Sequence, residues 1–198
     1  MAVAKKKIEK KVTFKFNASN AKMAKEHLAK YPDNAKSAVM PLLDLAQRQN
    51  SGWCSDEVIE YVADYMYMPP IRVREIATFY EMYNTDPVGE HILWMCRTTP
   101  CWLRGSDDVL NACKKNMKVD IGETTKDGKF TLREMECLGA CVNAPILWVD
   151  DDYYEDVDAK DTDKIIASLK KGKRPSVGSL KGRHCAAPEG MKKPKGVK

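Results

Sequence analysis

Cys96-Arg97-Thr98-Thr99-Pro100-Cys101-Trp102-Leu103-Arg104-Gly105 and Glu136-Cys137-Leu138-Gly139-Ala140-Cys141-Val142-Asn143-Ala144-Pro145 are the stretches around which this 198-residue chain is organised. Each holds a short cysteine pair, Cys96-x4-Cys101 and Cys137-x3-Cys141, whose two sulfurs can reach one metal centre together. Four thiolates delivered by two separate loops are the ligand set that an iron–sulfur cluster requires. The plant-type ferredoxin pattern bunches three ligands as C-x4-C-x2-C with a distant fourth, whereas these divide two and two. Zinc stays open on spacing alone, because thiolates suit it too, although its structural sites mostly use C-x2-C pairs. A disulfide framework fits poorly in a chain with no secretory signal that reads as belonging to a reducing compartment. Outside the pairs, Cys54 and Cys113 read as small buried hydrophobes. Cys185, in a basic tail, has no assigned role.

Working outward, the cysteine region alternates strands and helices. His91 to Met95 is a short apolar strand that delivers Cys96 into a loop. Ser106 to Met117 reads as a helix with Ser106 as its cap and Asp107 and Asp108 in its first turn. Lys126-Asp127-Gly128-Lys129 signals a turn into the strand Phe130 to Glu136, which delivers Cys137. Pro145 to Val149 and Tyr153 to Val157 form a hairpin across Asp150 to Asp152, and Thr162 to Lys170 is a closing helix. From Ser19 to about Tyr83 the pattern is instead helical. Val39, Leu42, Leu43, Leu45 and Ala46 share a face of Ser37 to Gln49, and Ser55 caps a helix carrying Val58, Ile59, Val62, Ala63 and Met66. Met68-Pro69-Pro70 ends that helix and starts one with Val73, Ile76, Ala77 and Tyr80 at helical spacing. About four helices make this part a small bundle.

The quoted cysteine stretches resemble the thioredoxin-like [2Fe-2S] ferredoxin family, and within it the small iron–sulfur subunits of the NADH-oxidising module of respiratory complex I. Ala77-Thr78-Phe79-Tyr80, Pro87-Val88-Gly89 and Gly122-Glu123-Thr124-Thr125 resemble those subunits as well, so that the likeness covers roughly residues 13 to 172. It implies an α+β chain: a basic N-terminal extension over 1–12, a helical bundle over 13–85, a thioredoxin-like [2Fe-2S] domain over 86–172 and a basic C-terminal tail over 173–198. It implies that Cys96, Cys101, Cys137 and Cys141 hold one [2Fe-2S] cluster. It further implies that FMN and NADH sit on a flavoprotein partner, among other peripheral-arm subunits, rather than on this chain.

Physical features around the ligands accord with that expectation. The negative charge of a four-thiolate cluster is tuned by N–H donors, burial and nearby charge. Gly139 and Ala140 are small enough for backbone amides to approach sulfur. Arg97 and Arg104 are candidates to offset charge, though each reads equally well as a surface arginine. Trp102 and Leu138 are expected to shield the cluster from water, and Pro100 and Pro145 to stiffen its loops. His91 is a candidate for contact behind a ligand; His27 and His184 read as exposed. The carboxylates from Asp150 to Asp163 lack an EF-hand's glycine and ligand alternation and read as a solvated hairpin tip and helix start.

Composition bounds the rest. The net charge of +5 divides into +4 over residues 1 to 11, +9 over 170 to 198 and −8 on the body between. Such ends read as solvated tails or as arms for an acidic surface. A nucleic-acid reader would need a basic stripe on a folded element, and the body supplies none. No apolar run approaches the eighteen or so residues of a membrane span, so membrane association is expected only through a complex. That complex would lie on the cytoplasmic face of a bacterial inner membrane, or on the matrix side in mitochondria. The N-terminus is lysine-rich, without an apolar core, and the first arginine is Arg48; it reads as neither a signal peptide nor a typical presequence. There is no G-x-G-x-x-G and no Walker motif, so the chain is not expected to oxidise NADH by itself. Alternatives are a diaphorase subunit of a soluble NAD-linked hydrogenase or formate dehydrogenase, and a zinc-stabilised adaptor.

Overall fold

The computed structural model describes residues 14–183, which form two compact units that divide between Pro87 and Val88. The first is helical: α1 (Ala18–Ala29), a 3-10 turn over Ala35–Ala38, α2 (Val39–Gln49), α3 (Asp56–Tyr65) and α4 (Pro70–Phe79). Asn17 caps α1 by accepting the Asn20 N–H at 2.8 Å, and Ser55 caps α3 by accepting that of Val58 at 3.3 Å. The face read from the α2 sequence is buried as expected, and it packs against Val58, Ile59, Val62 and Ala63 of α3 and Val73 and Ala77 of α4. Tyr80 departs from its expected place: α4 stops at Phe79, and both Phe79 and Tyr80 are exposed. Buried Gln47 fixes the end of this unit, accepting the Asn84 N–H at 2.7 Å and donating to the Met82 carbonyl at 3.0 Å. Cys54 lies beside it, and burial, followed by the charge of Asp44, pushes its thiol up to about 12.

The second unit is a five-stranded mixed sheet with helices packed on one face. Its elements are β1 (His91–Cys96), α5 (Thr99–Leu103), α6 (Ser106–Met117), β2 (Phe130–Met135), β3 (Ile146–Val149), β4 (Asp152–Glu155), α7 (Ala159–Lys170) and β5 (Gly178–Ser179). The strand order is β2-β1-β3-β4-β5, with β1–β2 and β4–β5 parallel and the other pairs antiparallel. Strand alternation sends Leu93, Met95, Phe130, Leu132, Leu147, Val149 and Tyr154 into a core completed by Val109, Cys113, Ile165, Ile166 and Leu169. Between Leu93 and Met95, Trp94 faces the other side, stacked on Trp148 at 5.7 Å with the Arg133 guanidinium 5.1 Å from its ring centre.

Two of the short motifs have structural explanations here. A side chain at Gly89 would bring a Cβ within 2.7 Å of the Phe130 backbone nitrogen, so only glycine lets the chain enter β1 alongside β2. Its N–H donates to Thr131 Oγ1 at 2.7 Å. Gly122-Glu123-Thr124-Thr125 doubles back along β2, with Gly122 N–H on the Leu132 carbonyl and Thr124 bridged to Thr131.

Three local expectations are corrected. Ser106 does not cap α6: Gly105, at φ +93°, takes that position, and Ser106 is the first helical residue, buried with a hydroxyl that has no hydrogen-bond partner. The stretch between the first two cysteines is partly helical, as α5. The domain does not end at 172, because the chain returns to the sheet as β5 and leaves Arg183 against the body. The basic residues 1 to 11, and the tail from 184 onward with His184 and Cys185, lie outside the described residues.

Candidate metal centre

The parallel pairing of β1 with β2 explains how two distant cysteine pairs meet. Cys96 ends β1 and lies opposite Met135, the last residue of β2, so the loops carrying the pairs leave the same end of the sheet side by side. Cys101 follows on the first turn of α5. Cys137 sits two residues past β2, and Cys141 opens a 3-10 turn, Cys141–Asn143, that leads into β3. Cys96 and Cys101 are buried with Ala144 and Ile146, and Leu138, Ala140 and Tyr153 pack against them. Cys141 is half-buried and Cys137 exposed.

Sulfurs and donors converge pairwise. Cys137 and Cys141 Sγ are 3.4 Å apart, and the Gly139 N–H points at Cys137 Sγ over the same distance. Gly139 has φ +78°, which glycine adopts without strain and which turns that amide inward. The Thr98 hydroxyl is 3.4 Å from Cys96 Sγ.

These contacts divide the protons of each pair unequally. Burial pushes the Cys96 thiol up, but the Thr98 hydroxyl, the Leu138 and Thr98 N–H groups and the Cys101 thiol together hold it below its ordinary value. Burial and then Cys96 push Cys101 up to about 12. In the second pair the Gly139 N–H, the Cys141 thiol and the Thr98 hydroxyl hold Cys137 low, while Cys141, hydrogen-bonded to Cys137, is raised. Each pair thus sets one thiol that yields its proton more readily beside a neighbour that holds its proton more tightly. Any metal taking all four sulfurs must displace those protons, so its affinity falls as the solution becomes more acidic.

The donor set fits a [2Fe-2S] cluster: four sulfurs in two pairs, backbone N–H groups aimed at them, and a partly apolar surround. Among the described residues no three metal-ligating side chains close around one point.

The surrounding residues depart from several expectations. Trp102 is 56% exposed and does not shield the site; its indole N–H donates to Asp107 at 3.1 Å. Leu138 is half-buried and packs against Cys96 and Cys101. Arg97 pairs with Glu134 at 3.1 Å and Asp107 at 3.3 Å, pinning the first loop to β2 and α6. Arg104 is exposed and lines a cavity of about 590 Å³ between α6 and α7. His91 lies at the other end of β1 from Cys96, 2.8 Å from Asp150, and so does not stand behind a ligand. Cys113 is buried, and desolvation, followed by the charge of Asp163, pushes its thiol up to about 12.

Sequence reasoning missed Thr98, Tyr153 and Asp156. Tyr153 donates its hydroxyl to the Leu138 carbonyl at 3.1 Å, bracing the second cysteine loop from β4. Asp156, read as part of a solvated acidic stretch, is fully buried. Both its carboxylate oxygens accept from Arg183 Nε at 3.0 Å, Ser179 Oγ adds a bond at 2.6 Å, and the same guanidinium donates to the carbonyl of Val142, next to Cys141, at 2.9 Å. Nearby, Arg174 pairs with Asp150 and Asp152. These arginines of the basic C-terminal segment therefore fold back on the chain's own acidic hairpin.

Comparison with known proteins agrees with this geometry. A subunit of the NADH-quinone oxidoreductase of Rickettsia typhi is 54% identical over 155 residues, which cover 78% of this chain and 91% of that one. The mitochondrial NADH dehydrogenase [ubiquinone] flavoprotein 2 of Dictyostelium discoideum is 44% identical over 179 residues, 89% of this chain and 72% of that one. In fold alone the chain is similar to an NAD+-reducing [NiFe]-hydrogenase, with a TM-score of 0.58 at 18% identity over 65% of this chain; it spans only 22% of that hydrogenase chain. Residues 24–170 match the thioredoxin-like [2Fe-2S] ferredoxin family along their whole extent, and the chain belongs to that family.

Proposed function

We propose that this chain is the electron-transfer subunit of an NADH:quinone oxidoreductase. In this reading Cys96 and Cys101 bind one iron, and Cys137 and Cys141 the other, of a single [2Fe-2S] cluster. The observation that carries it is the convergence of both cysteine pairs at the shared end of β1 and β2, in a chain 54% identical to a subunit of such an enzyme. When bound, the cluster accepts and returns one electron. The protein's share is to hold the four sulfurs, point the Gly139 N–H at them, and cover the buried pair with Leu138, Ala144 and Ile146.

FMN and NADH belong to a flavoprotein partner, since this chain has no dinucleotide or nucleotide motif. Among the described residues no helix is long and apolar enough to cross a membrane, and attachment to the cytoplasmic face of a bacterial inner membrane runs through other subunits. The hydrogenase likeness, at 18% identity, is one of fold and does not favour the alternative assignment.

The helical unit is the expected docking surface for the flavoprotein. Tyr67 is 95% exposed, and Ile71, Phe79 and Met82 are exposed with it at and beyond the ends of α4. Apolar side chains that are exposed together in one patch mark interaction sites. Replacing Tyr67 and Ile71 together with Glu in the full chain is expected to weaken copurification with the flavoprotein at least tenfold while leaving the visible absorbance of the cluster intact. Undiminished copurification, with loss on replacing exposed Trp102 and Leu103 instead, would move the interface to the cluster end.

A further inference from the structure

Thr98 stands at the N-cap of α5, where a threonine hydroxyl ordinarily accepts an N–H from two or three residues ahead. Here it makes no such bond. Its backbone does the work of a cap, the carbonyl accepting the Trp102 N–H at 2.9 Å. The hydroxyl turns instead to sulfur, 3.4 Å from Cys96 Sγ.

The direction of the bond follows from the ligand state. A thiolate has no proton to give, so a hydroxyl beside it must donate. Hydrogen bonds to the sulfurs of a cluster, together with its net charge and exposure, set its potential. A donor at sulfur withdraws electron density and favours the reduced, more negative state. We propose that Thr98 is a positioning and tuning residue of the cluster, whose hydroxyl donates to Cys96 Sγ and raises the reduction potential. This deepens the electron-transfer reading and rests on it.

The test uses the full chain with its cluster. Iron and acid-labile sulfide are measured first in the unsubstituted protein; their absence there would remove the electron-transfer reading, and this inference with it. With the cluster present, Thr98→Val keeps the branched shape and removes the hydroxyl, while Thr98→Ser keeps the hydroxyl and removes the methyl. Redox titration followed by visible absorbance is expected to show a lower midpoint in Thr98→Val, by a three- to tenfold change in the one-electron equilibrium constant, where tenfold corresponds to about 59 mV. Thr98→Ser is expected to return the midpoint to that of the unsubstituted chain. If Thr98→Val holds too little cluster to titrate, Thr98→Ala takes its place, with the same shift expected. Equal midpoints for the hydroxyl-free and unsubstituted chains, at equal cluster content, would overturn the assignment. So would a shift that Thr98→Ser shares, since a change in loop packing would then explain it.

Discussion

Replacing Cys137 with alanine is expected to strip the protein of its visible absorbance, or to leave a cluster that is lost during purification. Three thiolates leave one iron held by Cys141 alone among protein ligands, with an open position at an exposed site where water can enter. The same substitution at Cys54 or Cys113 removes a small side chain from an apolar interior and is expected to cost on the order of 1 kcal/mol, with the absorbance retained. All three variants can be compared by iron content and absorbance after anaerobic purification. Equal loss in all three would contradict the ligand assignment, since Cys54 and Cys113 belong to cores separate from the four paired sulfurs.

Removing Arg183 is expected to have the next largest effect. Asp156 is buried, and burial by itself would push its carboxyl up; bonds from Arg183 and Ser179 outweigh that and hold it below the ordinary carboxylate value. Taking away one partner of a buried pair typically costs about 3–5 kcal/mol, because the other charge is left uncompensated. The guanidinium is partly exposed, so Arg183→Met should sit near the lower end, about 3 kcal/mol or roughly 6–12 °C in Tm for a chain of this size. The sign with pH follows from the lowered carboxyl. The stabilisation is full above the unfolded value of about 3.9 and is lost as pH falls through the lower folded value. The two proteins should therefore differ most near neutrality and converge in acid. A double substitution with Asp156→Asn should recover part of the loss. Melting curves that differ equally at all pH values would show that Arg183 acts through packing alone.

What could be read from the sequence followed from local rules. Ser55 precedes an apolar period with two acids in the first turn, and it caps α3. The cysteine pairs announced a site because close spacing on a loop is a local property, and flanking strands with alternating residues placed that site at the end of a sheet. What stayed hidden depended on partners far along the chain or on backbone conformation. Asp156 looks like any residue of an acidic run until Arg183 arrives 27 positions later. Ser106 has the composition of a cap, yet Gly105 adopts the left-handed conformation and takes the position first. Thr98 looks like a cap and sits at one, but its hydroxyl is committed to sulfur. Trp102, expected over the cluster, is turned outward by its bond to Asp107. The opposing charges of body and tail, read as a property of separate regions, are partly settled within the chain by Arg174 and Arg183.

Four sulfurs holding two irons are the centre of the proposed function, and metal analysis of the anaerobically purified full chain tests this most directly. Iron and acid-labile sulfide in equal amounts, a brown colour and a paramagnetic signal that appears on one-electron reduction are the predicted result. A colourless protein carrying stoichiometric zinc and no sulfide would contradict it.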